Sequence, residues 1–306
     1  MKKVNLVSIK TISDYHQLMG HKKPLHPLVT VINLETMDRL PFDRSVNLVY
    51  DFYCITLKKH TGLTFKYGQQ DYDFNDGTMF FMAPKQVFGF LINNGQTAKL
   101  KGWALLFHPD FLWNTSLAST IKKFEYFEYS VNEALHISDK EEAIVTNIVE
   151  IIEQEYQSNI DNFSQDIIIA QIESLLNYAD RFYQRQFVTR KKVNHQILMQ
   201  LEKLLEDYFK SESPMNNGLP TVQYISNHLH ISPNYLSRLL TTLTNKSTQQ
   251  FIQDKVVEIA KEKLSTTDLS VGEIAYELGF EHPQSFSKMF KNKTSLSPLE
   301  FRASFN

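Results

Sequence analysis

Thr221-Val-Gln-Tyr-Ile-Ser-Asn-His-Leu-His-Ile-Ser-Pro-Asn-Tyr-Leu-Ser-Arg-Leu-Leu240 lies over Ser270-Val-Gly-Glu-Ile-Ala-Tyr-Glu-Leu-Gly-Phe-Glu-His-Pro-Gln-Ser-Phe-Ser-Lys-Met-Phe290. Thr221/Ser270, Ile225/Ile274 and Leu229/Leu278 stand 49 positions apart. After one inserted residue, Leu236/Phe286, Ser237/Ser287, Arg238/Lys288 and Phe251/Phe301 stand 50 apart. Each copy meets the physical demands of a helix-turn-helix. Thr221 and Ser270 are N-cap residues ahead of a short apolar helix. Gly279 supplies a positive φ for the second turn. Pro233 and Pro283 open the second helices, where a missing N–H costs little. A one-residue difference within one turn is what two copies of such a motif tolerate.

The second helix of each copy is two-faced. Tyr235, Leu236, Leu239 and Leu243 are predicted to point inward, leaving Asn234, Ser237, Arg238 and Thr241 outward. In the other copy Phe286, Met289 and Phe290 go inward, and Gln284, Ser287, Lys288 and Lys291 outward. Small, polar, hydrogen-bonding side chains on an exposed helix face suit a helix laid in a DNA major groove. One such helix pair is weak evidence, because amphipathic pairs are common. Two in register, joined by a helical stretch from Phe251 to Leu264, are far more specific.

Asp268-Leu-Ser-Val-Gly-Glu-Ile-Ala-Tyr-Glu-Leu-Gly-Phe280, with Ser285-Phe-Ser-Lys-Met-Phe-Lys291 and Ser297-Pro-Leu-Glu-Phe-Arg302, resembles the signature of AraC/XylS-type bacterial transcription regulators. The resemblance covers roughly Val193 to Asn306. It implies an all-α domain of seven helices, with two helix-turn-helix units on a shared linker helix. Both recognition helices would enter successive major grooves about 34 Å apart. Base-edge contacts then fall on Asn234, Ser237 and Arg238 in the first unit, and on Gln284, Ser287 and Lys288 in the second. Arg238 leads this set, since a guanidinium pairs bidentately with guanine. Thr221, Ser232 and Ser270 would meet phosphates through helix N-termini, and Lys246, Lys291 and Lys293 by charge. The sequence departs from the pattern at Ser295 and its counterpart Asn245, where the family often has Gly at the former, and at Lys255, where it often has Arg.

Upstream the punctuation changes. Residues 20–110 hold seven glycines and five prolines, whereas no glycine occurs from Trp103 to Asn217 and no proline from Asp110 to Ser213. Breakers divide a β-rich part from a helical one. Val46 to Leu57, Thr78 to Ala83, Val87 to Ile92 and Lys99 to Phe107 are predicted strands, with a turn at Tyr72–Gly77. They suggest a small barrel or sandwich. From about Ser138 the apolar spacing turns helical, at Ile144, Val145, Ile148, Val149, Ile152 and Tyr156. It does so again from Ile168 to Phe182, with Ser164 as the cap. The two helices either cover the open side of a barrel, or the second forms a dimer seam, its apolar stripe being followed by Arg181, Arg185 and Arg190.

The AraC/XylS resemblance extends loosely to residues 20–115, through Asp73–Pro84 and His108-Pro-Asp-Phe-Leu112. It implies an α+β chain: a cupin-like β-barrel with flanking helices over residues 1–190, which binds a small effector and dimerises, then the DNA-binding domain over 191–306. Tyr50, Phe52, Phe65, Tyr67, Phe81, Phe88 and Trp103 are the candidate lining of an effector pocket, each equally able to be plain core. The implied partners are a double-stranded DNA operator, a small-molecule effector, RNA polymerase and a second copy of the chain. Activation and repression both remain open.

Composition bounds the rest. The chain has 306 residues, 32 Lys and Arg against 34 Asp and Glu, and a net charge of −2. That excludes a general polyanion binder. Residues 191–306 carry 13 basic against 12 acidic side chains, so a bulk charge test misses a DNA-binding half. Non-specific affinity from phosphate neutralisation is therefore expected to be modest. A single cysteine, Cys54, excludes an intramolecular disulfide framework. Met1 to Lys10 lacks a signal-peptide core and no stretch reaches bilayer length, which gives an expectation of a cytoplasmic protein without a membrane partner. His16, His21, His26, His60, His108 and His136 are scattered singly, and no His pair falls in Gly62–Gly68 or after Pro84. The expectation is no metal, no cofactor and no catalytic residues. The rival reading is a cupin-like small-molecule enzyme with an accessory DNA-binding tail.

Overall fold

The computed structural model describes residues 6–36, 46–59, 65–67, 70–72, 77–90, 101–129, 133–158, 161 and 163–304. The chain divides into two compact units, Met1–Gln186 and Phe187–Asn306. The fold is α+β, with all described strands in the first unit. None of the described helices is long and apolar enough to cross a membrane.

In the first unit β2 (Val29–Asn33), β4 (Tyr53–Lys59), β7 (Thr78–Met82), β9 (Lys101–Phe107) and β10 (Leu135–His136) form a five-stranded antiparallel sheet in the order β10-β7-β4-β9-β2. Its centre is rich in Ile, Leu and Phe, and Ile55, Leu57, Leu105 and Leu106 are fully or almost fully buried. A second sheet joins β1 (Leu6–Ile9) parallel to β3 (Val46–Tyr50), which pairs antiparallel with β8 (Val87–Phe90). β5 (Phe65–Tyr67) and β6 (Gln70–Tyr72) form a two-stranded hairpin. The described strands form three separate sheets, and no closed barrel is present among them.

The stretch expected as one strand from Val46 to Leu57 is two. A bend at Asp51-Phe52 moves the chain from the β1–β3–β8 sheet into the five-stranded one. Phe52 is fully buried at that corner, stacked 4.8 Å from Tyr50. The expected turn at Tyr72–Gly77 lies largely outside the described residues, as do the start of the strand at Lys99 and the end of the one at Ile92.

α1 (Ile12–Met19) is closed at both ends, by a Thr11–Asp14 capping box and by Gly20 at φ 74°. The short α2 (Ser116–Thr120) precedes α3 (Asp139–Gln157), whose start is a Ser138–Glu141 capping box. Tyr156 on α3 accepts the Val31 N–H of edge strand β2 at 3.0 Å. α4 (Ser164–Thr189) does not use Ser164 as its cap. Ser164 is the first helical residue, 3% exposed, and its hydroxyl accepts the Asp161 N–H at 3.2 Å. Tyr183 and Gln186 on this helix bond to the main chain at Glu133, Ala134 and His136. The division between the units falls in the last turns of α4.

The second unit is all-helical: α5 (Lys191–Lys210), α6 (Ser213–Asn217), α7 (Val222–Leu229), α8 (Pro233–Thr244), α9 (Thr248–Thr266), α10 (Val271–Glu277), α11 (Pro283–Thr294) and α12 (Pro298–Ala303). One continuous core holds it together. Leu201 and Leu205 of α5, Ile252, Val256 and Ala260 of α9, and the repeat pairs Ile225/Ile274, Leu236/Phe286 and Leu240/Phe290 all belong to it.

Candidate nucleic-acid interface

Each half of the repeat folds as a short helix, a turn and a second helix. α7 starts at Thr221, whose hydroxyl accepts the Tyr224 N–H at 3.1 Å. α8 starts at Ser232, whose hydroxyl accepts the Tyr235 N–H at 3.2 Å. α10 begins with a Ser270–Glu273 capping box. Its reciprocal hydrogen bonds, from the Ser270 hydroxyl and then its N–H, hold the Glu273 carboxyl below its usual pKa. All three predicted phosphate-facing hydroxyls are thus committed to helix starts, and Ser232 is 8% exposed.

The buried faces set how the second helices are turned. Leu236 and Leu240 of α8, like Phe286 and Phe290 of α11, are 0% exposed within the common core. Tyr235 and Leu239 are also buried but lie outside that core cluster. Tyr235, Leu236 and Leu239 are thus buried as expected; Leu240 joins them at the position equivalent to Phe290, whereas Leu243 is only half-buried.

On α8, Asn234, Ser237 and Arg238 are half-buried and Thr241 is exposed. The Ser237 hydroxyl lies 3.2 Å from that of Thr248. The Arg238 guanidinium sits over the Phe187 ring at 5.9 Å, and Phe187 packs 5.0 Å from Tyr235. The side-chain amide of buried Asn194 donates to the Phe187 carbonyl, which fixes this segment. On α11, Gln284, Lys288 and Lys291 are exposed and Ser287 is half-buried. Neither Lys288 nor Lys291 forms a close ion pair among the described residues.

Lys246 and Lys293 are differently placed. Both reach one carboxylate on α9: Lys246 Nζ lies 2.8 Å from Asp254 Oδ2, and Lys293 Nζ lies 2.7 Å from Asp254 Oδ1. Partial burial works against this carboxylate, but the two lysines outweigh it and hold its pKa below the usual value. One lysine follows the first recognition helix and the other ends the second, so Asp254 ties both units to α9. The Arg302 guanidinium adds another tie, donating to the carbonyls of Leu264 at 3.2 Å and Leu269 at 2.6 Å. Lys263 on α9 pairs with Glu277 on α10 at 2.7 Å.

Asp254, Phe187 and Asn194 were not singled out by the sequence. They act across 39 residues in the Lys293–Asp254 pair, or through the linker, where no periodic signal marks them. Arg302 had a signal, as the last residue of the Ser297–Arg302 segment.

The predicted effector lining of the first unit falls into two groups. Tyr50, Phe52 and Phe88 are packed together in its core, with Tyr50 edge-on to Phe88 at 4.7 Å. Phe81 lies against Tyr126 at 4.6 Å, and Trp103 donates through Nε1 to the Thr146 hydroxyl at 3.1 Å. All five are 8% exposed or less. Phe65 and Tyr67 are on β5, with side chains outside the described residues. Cys54 is buried in the same core, and burial pushes its thiol pKa up to about 12.

Residues 225–304 match a family model described as a helix-turn-helix domain. YfiF of Bacillus subtilis, an uncharacterized HTH-type transcriptional regulator, is 24% identical over 244 residues, which is 77% of this chain and 72% of that protein. The raffinose operon transcriptional regulatory protein RafR of Pediococcus pentosaceus is 36% identical over 84 residues. The arabinose operon regulatory protein of Escherichia coli is 34% identical over 105. This chain spans only 30% and 36% of those two proteins. Among solved structures, the DNA-binding domain of AdpA in complex with a target DNA is similar over 34% of this chain and 91% of that one, with 23% identity and a TM-score of 0.29. The all-helical second unit is a helix-turn-helix domain of the AraC/XylS type.

Proposed function

We propose that the chain is a sequence-specific DNA-binding regulator of transcription that reads two successive major grooves with α8 and α11. The observation that carries this is the doubled motif. Two recognition helices with matching buried faces are braced on one linker helix, and each presents polar side chains at equivalent positions. Asn234, Ser237 and Arg238 read one half-site, and Gln284, Ser287 and Lys288 the other. Thr241 and Lys291 flank them. The N-termini at Thr221, Ser232 and Ser270 face phosphates through backbone N–H groups, since their hydroxyls are already used. The first unit supplies regulation through a small effector and pairing with a second copy, and RNA polymerase is the downstream partner.

The test is selection of bound sequences from random DNA by the full chain. Two half-sites one helical turn apart are expected. A single short site would remove one unit from the reading. Arg238→Ala should cost about 1–3 kcal/mol at one base position and relax selectivity there, and Lys288→Ala should do the same in the other half-site. Lys291→Ala should weaken all sequences alike and lower the salt slope by about 1. Titrations of operator variants at several salt concentrations measure all three.

A further inference from the structure

The first unit carries a cleft of about 540 Å³ that the predicted lining does not touch. It opens where the segment after β9 meets the start of α4. Its apolar floor is Leu28, Phe111 and Ile168, with Tyr156 beside them. Gln165 helps close that floor by donating to the carbonyls of Phe111 at 2.8 Å and Trp113 at 3.4 Å. His26 stands edge-on to Phe111 at 5.4 Å.

Three features make this more than a packing gap. Trp113 lines the cleft and is 71% exposed, which leaves indole surface open to a ligand. Asn114 beside it is held at φ 63°, a conformation that fixes the direction of the wall. The charge is one-sided: among the described residues Asp110 and Asp161 line the cleft, and no Lys or Arg does. Asp161 Oδ1 accepts the Phe163 N–H at 2.8 Å, so this carboxylate is held in place, and no partner among the described residues engages its other oxygen. Asp110 lies 3.3 Å from His108. Burial lowers the pKa of His26 and so favours its neutral imidazole beside the two carboxylates.

We propose that this cleft binds a small organic cation, an ammonium group carried on an apolar or aromatic body. The ammonium sits between Asp110 and Asp161, and the body stacks on Trp113 over the apolar floor. Such a ligand satisfies both the unbalanced charge and the exposed indole. A neutral or anionic molecule of the same shape satisfies only one. The other two described clefts lack this pairing. One, beside α9, is crossed by the Lys246–Asp254 ion pair, and the other, at the start of α3, by Lys59–Glu142. That the cation would act as an effector rests on the regulator reading; that it binds does not.

The experiment uses the full chain without DNA and two probes of one shape, tryptamine and its neutral alcohol analogue tryptophol. Calorimetry should show binding of tryptamine and at least about tenfold weaker binding of tryptophol. A melting scan should rise by about 5 °C or more at a hundredfold excess of tryptamine over its Kd. The double variant Asp110→Asn/Asp161→Asn keeps the turn hydrogen bonds and should lose about tenfold in tryptamine affinity while leaving the unliganded melting curve in place. Trp113→Ala should weaken both probes. Equal affinity for the two probes, no binding of either, or full tryptamine binding by the double variant would each overturn the proposal. So would a chain that binds no cation and changes from dimer to monomer on Trp113→Ala, since Trp113 would then belong to a contact between copies. If DNA selection fails but tryptamine binds as described, the regulator reading falls and the cation site stands.

Discussion

The two helix-turn-helix copies share a core and differ in how they are closed. Ile225/Ile274, Leu236/Phe286 and Leu240/Phe290 occupy equivalent positions, and all six are 0% exposed. The turns between them do not match. In the first copy α7 ends on His230, a non-glycine in the left-handed region at φ 56°, and α8 follows behind a Ser232 side-chain cap. In the second, α10 passes through Gly279 at φ 87° with one more residue in the turn, and α11 starts at His282 without a side-chain cap. The recognition faces differ as well. Arg238 is half-buried over Phe187, whereas Lys288 is exposed. Buried positions were preserved when the motif was doubled, and the solvent-facing turns and readers were free to diverge.

The sharpest way to break this symmetry is at the turns. A Cβ on Gly279 would lie 2.8 Å from both the Pro214 carbonyl oxygen and the Gly218 carbonyl carbon. These are backbone atoms that cannot rotate away, and the backbone itself is at a φ that disfavours any other residue. Gly279→Ala should therefore cost about 2–4 kcal/mol. His230→Gly, at the corresponding place in the first copy, relieves a left-handed residue while adding chain entropy, and should change stability by less than about 0.5 kcal/mol. Urea unfolding followed by circular dichroism compares them. Tryptophan fluorescence would miss the effect, because both tryptophans, Trp103 and Trp113, are in the first unit. Similar losses from the two changes would mean the turns are equivalent after all.

What holds the copies to one another is smaller in energy. Asp254→Ala removes two ion pairs at once, but Asp254 is 34% exposed and Lys246 is 49% exposed, so solvent screens them. A stability loss of about 0.5–1 kcal/mol is expected, shrinking as salt rises. The larger consequence is geometric. The Lys246–Asp254–Lys293 bridge fixes the end of each recognition helix against α9, so its loss should narrow the preference between operators with normal and one-base-pair-altered half-site spacing. Asp254→Glu, which keeps the charge, should retain more of that preference than Asp254→Ala. Unchanged spacing preference in both would leave the bridge a matter of surface charge alone.

These contrasts also mark what was legible in the sequence. The repeat was, because buried apolar residues recur with a helical period and the caps are Ser, Thr and Pro in fixed places. On α8 the expected inward residues Tyr235, Leu236 and Leu239 are buried, but Leu240 is buried as well and Leu243 only half-buried. Five apolar residues crowd α8 between Tyr235 and Leu243, so periodicity alone does not choose the stripe. The expected strands coincide with β3/β4, β7, β8 and β9, but β1, β2, β5, β6 and β10 carried no such expectation, and the bend at Asp51-Phe52 was hidden because Phe52 continues the alternation through the corner. Tyr50, Phe52, Phe81, Phe88 and Trp103, five of the aromatic residues expected to line a pocket, are buried and packed, and aromatic strands look alike whether they face a ligand or each other. The cleft at Trp113 was out of reach. It is assembled from segments near residues 26, 111, 156 and 165, which no local pattern connects.

The finest distinction lies at the ends of the recognition helices. Both close on a left-handed residue that is not glycine: Asn245 at φ 60° after α8 and Ser295 at φ 65° after α11. Asn adopts this region more readily than Ser, because its short amide side chain hydrogen-bonds locally. Ser295→Gly relieves more strain than it adds in unfolded-chain entropy and should stabilise the domain by about 0.5 kcal/mol. Asn245→Gly should give only a few tenths, or nothing, because less strain is stored there. Each helix keeps its closing bond in either variant, from the Asn245 N–H to Thr241 and from the Ser295 N–H to Lys291, since glycine retains the donor. Paired urea titrations resolve the difference when the two variants are measured against the same parent. A larger gain at Asn245 than at Ser295 would show that the first copy, despite its capped recognition helix, is the more strained of the two.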